Sequence, residues 1–196
     1  PIKTKRGQKF VPNRRTVQKK GLYDDSKLTP EELSADKEYI LNNLKNKNLI
    51  GVMEWYTKNA PGRDYKTISS SILKQIKMMS ENFGVTYDFT IVDKDFLKQK
   101  TDDPILAKDI KYLKKDFNIR ANKYTAGVAM RPFDSVSAMK LGELPTPGKY
   151  RIYINNTLNL PDGGGVNFDT ILHESVHAAT SSAVALGRRA PQLISE

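Results

Sequence analysis

The sequence predicts an α+β fold: a small mixed sheet, helices backing it, and one long helix near the C-terminus. Three observations predict it. Apolar residues recur at three-to-four spacing over 66–83 and again over 168–186, the period of a helix that buries one face. Two shorter runs, 85–92 and 149–155, alternate and are rich in β-branched and aromatic residues, as half-buried strands are. The second run passes through a loop bearing Pro161 and Gly163-Gly164-Gly165 into the last helix, which carries the only two histidines of the chain, His173 and His177.

Taken in order, residues 1–28 read as a basic flexible arm and 29–196 as one domain. Within the arm, Lys3, Lys5, Arg6, Lys9, Arg14, Arg15, Lys19 and Lys20 stand without a single acid, so residues 1–20 carry most of the net charge of +10. With few apolar residues the arm has too little surface to bury to fold alone. Thr29-Pro30-Glu31-Glu32 is a helix start, Thr29 as cap and Pro30 in the first turn, followed by Leu33, Tyr39, Ile40 and Leu44 and later by Leu49, Ile50, Met53 and Trp55. Pro61-Gly62 breaks the chain. Ile68, Ile72, Leu73, Ile76 and Met79 then define a helix over Lys66–Phe83 with Gly84 as its stop, the expected backing helix. Val85–Val92 is the first strand, about 103–117 a helix beginning near Asp103-Pro104, and 125–141 one or two further strands. Lys149–Asn155 follows the breakers Pro145, Pro147 and Gly148 and reads as a strand.

The last helix is placed at 168–186. Asn167 or Asp169 can cap its first turn, and Gly187, Arg188, Arg189 and Pro191 together form a stop signal. On that helix His173 and His177 are four apart and project from one face, with Glu174 directly after the first. Both imidazoles can thus reach one zinc ion while the glutamate addresses a water on the metal. This is the HExxH arrangement, and with the strand before it the segment resembles the zincins, zinc metallopeptidases of the gluzincin type. The run Ile171-Leu172-His173-Glu174-Ser175-Val176-His177-Ala178-Ala179-Thr180, with Pro147-Gly148-Lys149-Tyr150 ahead of it, also looks like the zincin-type domains inside large polyvalent proteins of phages and mobile elements. The likeness covers about residues 145–182.

The resemblance implies a zincin-like N-terminal subdomain with Zn2+ as cofactor, His173 and His177 as metal ligands and Glu174 as general base toward a peptide or protein substrate. It implies that the strand at 149–155 is the edge along which an extended substrate lies. Asp169, one turn before His173, is either an acceptor that orients a ligand imidazole or a first-turn acid favoured by the helix dipole. A third ligand is expected on a later helix. Glu196, nineteen residues after His177, is the one acid that follows, and the alternative is a ligand on a C-terminal subdomain this chain lacks. Ile194-Ser195-Glu196 resembles the sites cut by prohead proteases of some tailed phages. Tyr150 and Tyr153 are candidates for polarising a substrate carbonyl, with strand packing as the commoner use.

Composition removes several classes. The chain has no cysteine, so disulfides, thiolate metal sites and a cysteine nucleophile are excluded. Gly163-Gly164-Gly165 is not followed by the Lys-Ser/Thr of a phosphate-binding loop. No apolar run approaches a membrane span, and the N-terminal stretch lacks the apolar segment of a signal peptide. The expected setting is the host-cell cytoplasm or a virion interior. The arm at 1–20 would draw nucleic acid or an acidic protein surface. A function from a different class therefore stands beside the peptidase: a non-catalytic, virion-internal or nucleic-acid-associated protein that retains the helix as a relic and contributes to virion assembly.

Overall fold

The computed structural model describes residues 29–118, 124–132, 148–158 and 165–195. The arm at 1–28 lies outside them. Helix α1, Pro30–Leu44, starts on the expected signal: Thr29 accepts from the Glu32 N–H at 3.2 Å, and the Glu32 carboxylate accepts from the Thr29 N–H. That reciprocal pair satisfies donors the first turn leaves open. The chain reverses through Asn46 at φ 65°, a left-handed position that Asn tolerates better than most residues. Helix α2, Leu49–Asn59, is capped by Asn48 and buries Leu49, Val52, Met53 and Tyr56.

Helix α3, Arg63–Phe83, begins directly after the Pro61-Gly62 break, three residues before the apolar pattern predicts. It ends at Gly84, where φ is 65° and the backbone N–H reaches back to Met79 and Ser80, so this stop works as glycine stops do. Strand β1, Thr86–Val92, leads into a one-turn helix α4, Lys94–Lys98, that the apolar period is too short to reveal; Asp93 caps it. Helix α5, Pro104–Asp116, has Asp103 accepting from the Ile105 and Leu106 N–H groups. Strand β2, Gly127–Met130, falls inside the predicted 125–141, of which 133–141 lies outside the described residues. Strand β3, Lys149–Asn155, and helix α6, Phe168–Ser195, complete the order.

The sheet order is β1-β3-β2, with β1 parallel and β2 antiparallel to β3. The expected α+β class with a small mixed sheet is therefore present, but the strand at 149–155 is central and not an edge. The reason lies in its alternation. Arg151, Tyr153 and Asn155, the polar half of the pattern, do not face solvent; all three are buried beneath a second helical layer. Tyr153 packs there with Val92, Leu113 and Phe117. On the opposite face Tyr150, Ile152 and Ile154 join Tyr87 and Phe89 and the inward faces of α2, α3 and α6 in the main core.

The stop predicted at Gly187 is also overridden. Helix α6 continues to Ser195, and Gly187 keeps a negative φ. A Cβ added at Gly187 would meet nothing within 4 Å, so no close approach makes the chain turn there.

Candidate metal centre

The first turn of α6 is fixed from three sides. The Asn167 side chain accepts from the Thr170 N–H at 2.8 Å, so of the two candidate caps Asn167 is the one used. Tyr56 of α2 donates its hydroxyl to the Phe168 carbonyl at 2.8 Å, and Tyr65 of α3 donates to the Asp169 carboxylate. Both tyrosines are almost fully buried. Asp169 is thus an anchor between α3 and α6.

From this fixed start the helical period sorts the residues. Ile171, Leu172, Ser175, Ala178, Ala179 and Ser182 turn inward; His173, Val176, His177, Thr180, Ala183 and Val184 turn outward. The imidazoles of His173 and His177 have ring centroids 4.5 Å apart at 83°, and their Nε2 atoms approach to 2.9 Å. Two nitrogens on one tetrahedral zinc are separated by about 3.3 Å, given Zn–N bonds of about 2.0–2.1 Å. A small ring rotation closes the difference, so this pair fits two corners of a zinc site.

Glu174 lies on the adjoining face, 7% exposed, against β2. A Cβ built on Gly127 would stand 2.9 Å from Thr170 Cγ2 and 3.0 Å from Glu174 Cγ, so α6 touches this strand where a side chain is missing. Among the described residues no hydrogen-bond donor reaches the Glu174 carboxylate. Its pKa is raised because burial disfavours the charged form, while the two histidines pull it down. A desolvated carboxylate of this kind is a good proton acceptor and wants a polar partner. A carboxylate beside two imidazoles is a donor set that suits a divalent cation.

Among the described residues no group of three or more His, Cys, Asp or Glu side chains could hold a metal, and Glu196 lies outside them. Neither tyrosine on β3 faces the pair. Tyr150 stacks on Tyr87 with centroids 5.6 Å apart, and Tyr153 donates to Asp109 at 2.7 Å on the far side of the sheet. Gly163 and Gly164 also lie outside the described residues, but at Gly165 a Cβ would collide with the Ala126 and Asn155 carbonyl oxygens. That glycine is required by the close backbone approach.

Sequence reasoning missed Gly127. Its signal was available, since a lone glycine inside a strand pattern marks a close approach by another element. No protein-family model, curated protein or solved structure matches the chain. What the fold and the site define is a mixed α+β protein whose last described helix presents a converging dihistidine pair beside a buried carboxylate. Among the described residues no helix is long and apolar enough to cross a membrane.

Proposed function

We infer that the protein is a zinc-dependent metallopeptidase domain of the zincin kind. The observation that carries the reading is the convergence of the His173 and His177 Nε2 atoms to 2.9 Å, on an exposed helix face next to the buried Glu174 carboxylate. His173 and His177 would hold the ion through those nitrogens. When bound, zinc supplies Lewis acidity that polarises a carbonyl and acidifies water. Glu174 takes a proton from water at the site, an acceptance that its raised proton affinity favours, and gives that proton to the leaving amine as the C–N bond breaks. Strand β2 takes the role that the sequence assigned to 149–155. It has β3 on one side and no strand on the other among the described residues, so an extended peptide can add there, a strand spacing of about 4.8 Å away. Glu196 is the candidate that the sequence offers for a third ligand.

The test is metal content and hydrolysis measured together. Zinc-loaded protein is expected to retain about one equivalent by elemental analysis and to cleave a quenched peptide library in a chelator-sensitive way. His173→Ala and His177→Ala should lose both. Glu174→Gln should keep zinc and lose at least about a hundredfold in kcat. Protein that retains no zinc after loading ends the catalytic reading.

The eight basic residues within 1–20, with no acid among them, favour a second reading, a virion-internal or nucleic-acid-associated protein without turnover. On that reading zinc binds weakly, no peptide is cut, and Glu174→Gln changes nothing measurable.

A further inference from the structure

The solvent face of α5, on the other side of the sheet from the histidines, is unusual in its charge. Lys108, Lys111 and Lys115 follow one another along the outward ridge, all exposed, and Lys114 flanks them. The one acid within this stretch, Asp109, points inward and is held by Arg151, with Nη2 to Oδ1 at 3.1 Å. Its charge is therefore spent inside the fold and does not offset the ridge. Lys111, Lys114 and Lys115 form no ion pair with any described residue.

Lys114 and Lys115 have a local explanation, because cations in the last turn suit the helix dipole. Lys111 sits too far back for that. Lys111 with Lys114 and Lys111 with Lys115 are neighbours at three or four residues, pairs that repel and weaken an isolated helix by about 0.2–0.5 kcal/mol each. A polyanion laid along the ridge turns that repulsion into attraction. Along one border of the ridge lie two exposed apolar side chains, the ring of Tyr112 at 47% and, two turns earlier, the aliphatic Ile105 at 36%.

We propose that the outer face of α5 is a docking surface for single-stranded nucleic acid, with Lys108, Lys111 and Lys115 following the phosphates and Tyr112 stacking on a base. Lysines alone would serve any polyanion. The exposed tyrosine beside them selects a single strand, whose bases are free to stack, over a duplex, whose bases are not. The surface is distinct from the basic arm at 1–20 and does not depend on the peptidase reading.

The experiment uses the full chain, so that the arm contributes equally to every measurement. Binding of fluorescein-labelled oligo-dT, oligo-U and a duplex of matched length is followed by anisotropy over a salt series. For the single strands, the Lys108→Gln/Lys111→Gln/Lys115→Gln variant should bind more weakly, with a salt slope shallower by about 2, from roughly 0.7 per phosphate contact. Tyr112→Ala should lose about fivefold or more in single-strand affinity with its salt slope unchanged, and should leave duplex binding as it was. Equal loss on oligo-dT and oligo-U, or a preference for either, both support the proposal. An unchanged slope in the triple variant, or a Tyr112→Ala variant that binds all probes like the parent, overturns it, as does a loss confined to the duplex. Far-UV circular dichroism checks that the variants stay folded.

Discussion

At Gly127 a hydrogen atom decides where a carboxylate sits. The strand can lie against α6 only because nothing projects from it toward Thr170 and Glu174, and the Tyr153 carbonyl, 3.2 Å from the position of a Cβ, blocks retreat to the other side. Thr170 is itself buried, so it has little room to swing away. Gly127→Ala must therefore push Glu174 or the strand itself. We expect a stability cost of about 1–3 kcal/mol from overpacking, measurable by urea unfolding. We expect zinc to be retained, with a fall in peptide turnover of up to about a hundredfold, since displacement of a catalytic group by about 1 Å has that effect. If turnover and zinc content both match the parent protein, the contact between β2 and α6 does not position the base. The histidines were legible in the sequence because their spacing alone puts them on one helix face. Gly127 was not, because its role depends on which helix lies over it, a tertiary fact that the local pattern does not contain.

Elements are joined by a buried polar link as much as by apolar packing. Asp109 of α5 receives two bonds from the Arg151 guanidinium of β3 and one from the Tyr153 hydroxyl, and Arg151 also donates to the Lys149 carbonyl at 2.9 Å. Asp109→Ala leaves Arg151 buried without a counter-charge and Tyr153 without an acceptor, so the expected loss is about 3–5 kcal/mol by chemical denaturation. Replacing both charged partners, with Asp109→Leu and Arg151→Met, should recover most of it, because the desolvation penalty disappears with the charges. If the double replacement is as unstable as the single one, the link contributes shape and not charge. This pair also explains why β3 was misplaced at the edge. A strand with Arg151, Tyr153 and Asn155 on one side looks half-solvated until a second helical layer supplies their partners. Helix starts, by contrast, were readable at Thr29, Asp103 and Asn167, because a cap is satisfied within three residues of itself. The stop at Gly187 was misread for the converse reason: glycine permits a left-handed turn but does not compel one.

Over the whole molecule the buried tyrosines make stability depend on alkaline pH. Burial is the main cause that raises the pKa of Tyr87, Tyr150 and Tyr153, and Tyr87 is pushed up to about 12 from 10.0. In the unfolded chain these groups lose their protons near the ordinary value, while the folded protein holds them. The contribution is complete below about pH 10 and is lost as pH rises toward about 12 at Tyr87. Urea midpoints should hold steady up to the lower value and then fall, and Tyr87→Phe should flatten part of that fall; a midpoint independent of pH across this window would exclude the mechanism. The α+β class was open to sequence reading because period-3.6 and period-2 stretches alternate along the chain. Strand order was not, because β1 and β3 pair in parallel across more than fifty intervening residues. That long crossover has a consequence for how the molecule comes into being. Non-local pairing is slow to nucleate, and on a ribosome β1 must wait for α4, α5 and β2 to emerge before its neighbour exists. Helices α1 to α3 lie earlier and can associate during that interval, whereas α6 has no platform until the middle strand is threaded between the other two. Histidine alignment accordingly follows formation of the sheet, and a nascent chain stalled before residue 149 would expose the apolar side of β1 to chaperones and degradative enzymes.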